Sequence, residues 1–210
     1  MPVTAKQVLA AAERWGLSQT ISGPETGAER LASYGSLLLH WNTRLSLTAI
    51  RDEAEVIERH LMEGVFAAQH HPASTTSIDF GSGTGVPGIP IAICRENLQV
   101  TLAESHLKKA AFLHEVVRVL ALKAVVHSGR AETLVPGTFD AVWMRAVEKS
   151  ATMIPLATTL VAPGGSLCLL GTGTAPLIEA SSATRSGLWQ WKTLSLPVGK
   201  DRVLHIGRRM

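Results

Sequence analysis

Three glycines at alternating positions, Gly81, Gly83 and Gly85, stand in the run Asp79-Phe80-Gly81-Ser82-Gly83-Thr84-Gly85, directly after a short β-prone segment and before a helical one. Glycine suits a turn whose backbone takes positive φ, or one that a ligand approaches with no Cβ in the way. A helix opening directly behind such a turn adds unpaired N–H groups and a positive dipole end. In an open α/β sheet this is also where ligands bind, in the crevice beyond the carboxyl ends of the strands. The chemistry implied is cofactor binding. The glycines leave the cofactor open, because Gly83-Thr84-Gly85-Val86-Pro87-Gly88 also fits the dinucleotide pattern G-x-G-x-x-G.

Residues outside the turn narrow the choice. Asp79 stands two positions before the first glycine, as in class I S-adenosylmethionine-dependent methyltransferases. Glu104 closes the second predicted strand, where a carboxylate can accept both ribose hydroxyls of an adenosyl group, a role that suits either cofactor. The end of the chain predicts an antiparallel hairpin, the mark of the methyltransferase sheet and not of the dinucleotide one. S-Adenosyl-L-methionine is therefore the expected cofactor.

The elements that position these residues follow from periodicity. Residues 1–72 read as a helical segment. Thr4 caps a first helix carrying Val8, Leu9, Ala12 and Trp15 and stopped by Gly16. Pro24 opens a second, with Leu31, Tyr34, Leu37, Leu38 and Trp41 at helical spacing. Asp52 with Glu55 begins a third, which ends before Pro72. Residues 73–210 read as a second unit in which short strands alternate with helices. Strands are expected at Ser77–Phe80, Leu98–Glu104, Ala124–His127, Phe139–Met144 and Ser166–Leu170, and helices at Gly85–Arg95, Ser105–Leu122 and Pro176–Thr184. Leu107, Ala110, Leu113, Val117 and Leu120 form the expected apolar face of the Ser105–Leu122 helix. Such alternation means right-handed βαβ units and a parallel sheet covered on both faces. Trp189–Leu196 and Arg202–Ile206 lie too close together for a helical crossover and must pair antiparallel.

Composition excludes several classes. Apolar residues make up 46% of the 210, enough for a sizeable core, and no stretch approaches the roughly 18 consecutive apolar residues of a membrane span. With no apolar signal core at the N-terminus, a soluble cytoplasmic protein is expected. Cys94 and Cys168 have no C-x-x-C spacing, so a metal site is not expected and both read as buried thiols. The net charge of +3 is compatible with a polyanionic partner without demanding one. Arg208-Arg209-Met210 reads as a solvated end.

Taken together the chain resembles the ribosomal RNA small-subunit methyltransferase G family, also called glucose-inhibited division protein B. The resemblance runs from about Leu37 to Leu170. It rests on Trp41-Asn42 with Leu47-Thr48, on Arg51-Asp52 and Arg59-His60, and on Asp79 through Pro90. It continues in Glu104-Ser105, Lys108-Lys109, Phe112-Leu113, Arg130-Ala131-Glu132, and Phe139-Asp140 with Arg145-Ala146. Val86-Pro87-Gly88-Ile89-Pro90 behind the loop is the most specific stretch. The resemblance implies a seven-stranded Rossmann-like methyltransferase sheet with a helical N-terminal segment. It also implies N7-methylation of one guanine in 16S ribosomal RNA, with that RNA or the 30S subunit as partner. It places Gly81 and Val86 along the cofactor, Ala131-Glu132 at the adenine edge, and Arg145 facing the methyl donor and the incoming base. Arg59, His60, Lys108 and Lys109 become candidates for RNA contact. The pattern departs from the family at Ser46 (usually Asn), at Glu63-Gly64 (usually Asp-Ser) and at Leu170 (usually Lys).

The chemistry agrees with that implication. Methyl transfer from a sulfonium is an in-line displacement that positioning accelerates. Guanine N7 has an in-plane lone pair and loses no proton on attack. Exocyclic amines normally need an Asp/Asn-Pro-Pro-aromatic turn where this chain has Trp143-Met144-Arg145-Ala146. Cytosine C5 needs a cysteine nucleophile, and neither cysteine is at a suitable strand end. The competing readings are a nicotinamide-dependent oxidoreductase, an inactive RNA-binding assembly module of the same fold, and a small-molecule methyltransferase. No dimerisation signal is visible, and a monomer is expected.

Overall fold

The structure is a computed structural model that describes residues 2–21, 23–145, 150–173, 188–199 and 201–210. The helix expected at Pro176–Thr184 and the residue Ala146 lie outside the described residues.

The N-terminal helices begin where their capping residues place them. The Thr4 hydroxyl accepts from Gln7 N while the Gln7 side chain returns to Thr4 N, a complete capping box for α1 (Ala5–Arg14). Gly16, at φ +68, ends that helix in the left-handed region. Helix α2 (Pro24–Leu45) opens on Pro24 and closes on Ser46, whose φ of +49 makes it one of few non-glycine residues in that region. Asp52 caps α3 (Glu53–Val56) by accepting from Glu55 N. The third expected helix is not one regular cylinder. A π-helical turn, Ile57–Met62, separates α3 from α4 (Glu63–Gln69), and such turns collect at functional positions.

The sheet has seven strands, β1 (Thr76–Phe80), β2 (Gln99–Ala103), β3 (Ala124–His127), β4 (Phe139–Arg145), β5 (Val161–Thr172), β6 (Trp189–Ser195) and β7 (Arg202–Arg209), in the order β3-β2-β1-β4-β5-β7-β6. The first five are parallel, and β7 runs antiparallel to both β5 and β6. The expected terminal hairpin is present, and a wholly parallel dinucleotide sheet is excluded. Helices α5 (Gly88–Cys94), α6 (Leu107–Val119) and α7 (Ser150–Leu160) cover the sheet. One apolar cluster joins Val8, Tyr34 and Leu61 of the N-terminal helices to Leu102, Trp143 and Ile206 of the sheet. A second, with Ile78, Val142 and Leu167, lies under α7.

Three details correct the expectations. Strand β5 begins at Val161, with the Ala162-Pro163-Gly164-Gly165 segment inside it; the register against β4 slips there, and Gly164 sits at φ +74. Strand β7 continues through Arg209, which donates to Val161 O at 2.9 Å, so Arg208 and Arg209 are strand residues and not a loose end. Leu107 is 77% exposed, because the buried face of α6 runs through Ala110, Phe112, Leu113 and Val116.

Candidate cofactor and RNA site

The glycine loop joins β1 to α5 at the carboxyl ends of the strands, and its shape is set from beneath. Asp79 is 2% exposed and its Oδ2 accepts from Gly88 N at 3.0 Å. Burial pushes its pKa up to about 7, against the pull of the Gly88 N–H, Ser82 and Arg145. Asp79 therefore folds the loop back onto the head of α5, and Gly88 is required there: a Cβ would stand 2.8 Å from that same Oδ2 and 2.4 Å from Leu102 Cδ2. The glycines divide the remaining work. Gly81 (φ +72) and Gly83 (φ +58) have no side chain in contact range of a built Cβ, so the space over their backbone is open. Gly85 (φ +95) instead packs inward, where a Cβ would meet Ile89 Cγ1 at 2.6 Å. Val86 is buried in the main core beside it.

Glu104, at the end of β2, binds this loop to the next one. Its Oε2 accepts from Gly83 N at 2.8 Å and its Oε1 from His106 N at 2.7 Å. A carboxylate has about four acceptor positions, so each oxygen retains a lone pair for a hydroxyl donor. Beyond β3, Ala131 is buried against Phe80 and Ala103 in the second core cluster. The neighbouring Glu132 is within 3.8 Å of Arg130. These residues thus line the ends of three adjacent strands. The open glycine backbone beside an acid with spare lone pairs fits an adenosyl group.

Tyr34 was read from the sequence only as a helix-face residue. It is fully buried and donates from its hydroxyl to Thr84 O at 2.7 Å, so α2 grips the glycine loop. Burial raises its phenol pKa far above the ordinary range.

Arg145, ending β4, is held in a buried polar cluster. Its Nε donates to Glu63 Oε2 at 3.2 Å, its Nη1 to His60 Nδ1 at 3.2 Å, and its Nη2 to Arg59 O at 2.7 Å in the π-helical turn. Glu63, 1% exposed, also receives Arg202 Nη2 at 2.7 Å; Arg202 Nε lies close to Oε1 but out of line for a hydrogen bond. Burial raises the Glu63 pKa, and the two guanidiniums oppose it. Burial likewise drops His60 to about 3, reinforced by the charges of Arg145 and Arg59, so its ring is neutral and carries its proton on Nε2. Two cations against one carboxylate leave an excess positive charge here. A guanidinium has five N–H donors, so Arg145 retains two beyond its three partners.

The remaining candidates are dispersed. Arg59 is exposed and paired with Glu55 at 2.9 Å, and Lys108 is exposed near the head of α6 with Lys109 half-buried beside it. His60, at 3% exposure, is no surface contact. The positions that depart from the family pattern have distinct local settings. Ser46 closes α2 in the left-handed conformation that asparagine tolerates better. Gly64 admits Pro90, whose Cγ would lie 2.3 Å from a Cβ at that position. Leu170 is buried beside Arg145 on β4 and Leu204 on β7. Among the described residues no group of three or more His, Cys, Asp or Glu could hold a metal ion. Among the same residues no helix is long and apolar enough to cross a membrane.

The family model described as rRNA small subunit methyltransferase G matches residues 27–205. A ribosomal RNA small subunit methyltransferase G from Xanthomonas euvesicatoria is 44% identical over 165 residues, 78% of this chain and 76% of the relative. One from Neisseria meningitidis is 40% identical over 142 residues, 67% of this chain and 69% of the relative. Among solved structures, an O-methyltransferase from Bacillus cereus in complex with SAH superposes with a TM-score of 0.62 at 14% identity, covering 84% of this chain and 91% of that one. Parallel strands closed by an antiparallel pair, with the glycine loop and Glu104 at their ends, define a class I S-adenosylmethionine-dependent methyltransferase. Within that class, the chain belongs to the ribosomal RNA small subunit methyltransferase G family.

Proposed function

We propose that this chain methylates N7 of a specific guanine in 16S ribosomal RNA. In this reading the open backbone of Gly81 and Gly83 seats the cofactor, Gly85 and Val86 anchor that loop on the core beneath it, Asp79 shapes it from below, Glu104 takes the ribose hydroxyls, and Ala131-Glu132 borders the adenine. When bound, S-adenosylmethionine supplies an electrophilic methyl group on a sulfonium. The chain's own part is to bind, orient and desolvate.

The observation that carries the choice of atom is the state of the acids and the histidine around the site. Asp79 is turned onto Gly88, Glu104 onto Gly83 and His106, and Glu63 onto two arginines, while His60 already accepts from Arg145. With the remaining lone pairs of Glu104 taken by the ribose hydroxyls, none of these groups is left to remove a proton from a nucleophile. Guanine N7 asks for no such removal. The spare N–H groups of Arg145 suit guanine O6, an acceptor beside the reacting atom, or a phosphate. The excess positive charge of its cluster favours the same partners. Arg59, Lys108 and Lys109 would meet phosphates around the opening. The reading keeps the expected monomer, acting in the cytoplasm where ribosomes are.

Incubation with labelled S-adenosylmethionine and 30S subunits from a strain lacking the enzyme should place label on one N7-methylguanine of 16S RNA. Label on another atom, or on a small molecule alone, overturns the reading.

A further inference from the structure

The far end of the sheet, opposite the glycine loop, holds a cavity of about 700 Å³ between the end of α4 and the start of β5, β6 and the close of β7. Its floor is polar by register. Ser166, Arg208 and Gln190 stand abreast on β5, β7 and β6, so their side chains leave the same face. Lys192, two residues along β6 from Gln190, leaves that face as well. Arg208 and Lys192 are both exposed, and neither has a carboxylate partner among the described residues. The one carboxylate in the lining, Asp140, is committed elsewhere: its Oδ2 receives the N–H and hydroxyl groups of Thr75 and Thr76 at 2.9–3.0 Å. Gly164, at φ +74 with open space where a Cβ would be, lets a ligand approach the backbone at the rim.

The cavity shares a strand with the site already described. Arg202 of the buried cluster and Arg208 lie six residues apart on β7, about 20 Å at roughly 3.3 Å per residue, and on one face. Leu204 and Ile206 are buried between them.

We propose that this cavity holds one nucleotide of the RNA substrate, with its phosphodiester on Arg208 and Lys192. The proposal rests on the reading of the substrate as RNA. A bare phosphate would fill only a small part of the volume, whereas a nucleotide falls within the usual size of ligand pockets. Stacked nucleotides advance about 3.4 Å each, so along a stacked strand the contact engages a residue about six nucleotides from the methylated base, and fewer where the strand is extended. A phosphate contact carries position and not sequence. The cavity thus fixes how far along the strand the target guanine lies.

The test uses the full chain carrying Arg208→Ala and Lys192→Ala together, with a 16S RNA fragment spanning the target and about ten nucleotides on each side. RNA affinity is measured between 50 and 200 mM salt. Loss of two single-strand phosphate contacts should reduce the slope of log affinity against log salt by about 1.4 and weaken binding about tenfold. S-Adenosylhomocysteine affinity and melting temperature should match those of the parent chain, and Arg208→Lys with Lys192→Arg should restore most of the slope. A dinucleotide bearing the guanine is too short to reach the cavity, so parent and variant should bind it equally. An unchanged slope in the folded variant overturns the proposal. So does guanosine monophosphate raising the melting temperature of the parent but not of the variant while the RNA slope stays the same, since the cavity would then serve a free nucleotide. If the parent chain itself neither binds nor methylates the RNA, the functional reading falls first, before any variant is made.

Discussion

The glycine loop and the Arg145 cluster lie at the same end of the sheet but are built from different materials. The loop is backbone: positive φ at Gly81 and Gly83, with Asp79 and Glu104 holding main-chain N–H groups. The cluster is side chain: two partly buried guanidiniums around a buried carboxylate and a buried, neutral imidazole. A backbone site is rigid at little cost in stability, because its polar groups satisfy one another locally. A buried ionic site depends on every member, since removing one partner strands the others' charge away from water. Damage to the loop should therefore appear in binding, and damage to the cluster in folding.

The strongest way to break that contrast is Glu63→Gln. It leaves the largely buried Arg145 and Arg202 without their counter-ion and should cost about 3 kcal/mol of stability in urea denaturation. A stability like that of the parent chain would mean that the arginines reach solvent. Next in size is Gly83→Val, which forces a branched side chain to φ +58, in the space open over the loop. It should weaken S-adenosylhomocysteine binding by about a hundredfold, and its stability loss should stay within the roughly 1–3 kcal/mol expected of one strained residue. Calorimetry showing parental affinity in a folded variant would count against the pocket.

Acidity separates the two regions by sign. His60 titrates at about 3 in the fold and near 6.5 when free, so its contribution is complete above pH 6.5 and is lost as the pH falls toward 3. Asp79 titrates at about 7 in the fold and near 3.8 when free, so its contribution is complete below 3.8 and is lost as the pH rises through 7. Each effect has a limiting slope of about 1.4 kcal/mol per pH unit. Urea midpoints taken from pH 4.5 to 7.5 should therefore lose acid sensitivity in His60→Gln, where His71 (lowered to about 4 by burial) retains part of it. In Asp79→Asn they should lose the decline on the alkaline side. Two profiles tilting the same way would refute the assignment. The smallest change is a control outside both regions. Ser46→Asn suits the left-handed cap of α2 and should stabilise by about 0.5 kcal/mol, with cofactor affinity unaltered.

The same contrast explains what could be read from the sequence. The loop is local: strand, glycines and helix follow one another within about a dozen residues, and turn chemistry identifies them. The terminal hairpin is legible for the same reason, from two β-prone runs with too short a link for a crossover. The cluster is not local. Glu63 meets Arg145 across 82 residues and Arg202 across 139, and no periodicity encodes such a meeting. Arg145 was expected at the site from the family pattern, but its partners Glu63 and Arg202 were not. The one available signal was the departure at Glu63-Gly64, where one residue supplies the counter-ion and the next the clearance for Pro90. Asp79 was found by position, while the direction of its carboxylate, down into Gly88 rather than out toward a ligand, required the fold. The slip inside β5 was missed because Pro163 and the two glycines read as a break, although the strand passes through them as an irregularity.

The position of β7 has a consequence for how the protein is made. This strand is the last of the seven in sequence, yet it sits between β5 and β6 and brings Arg202 to the cluster. At synthesis rates of about 5–20 residues per second, Arg145 precedes Arg202 from the ribosome by roughly 3 to 11 seconds. Through that interval Glu63 lacks its second cation, and β5, once made, is an uncovered edge until β7 arrives. The catalytic end of the molecule therefore cannot mature gradually as the chain emerges; it is completed in a single late insertion, and a nascent chain stalled before Arg202 has a cofactor loop but no finished arginine site.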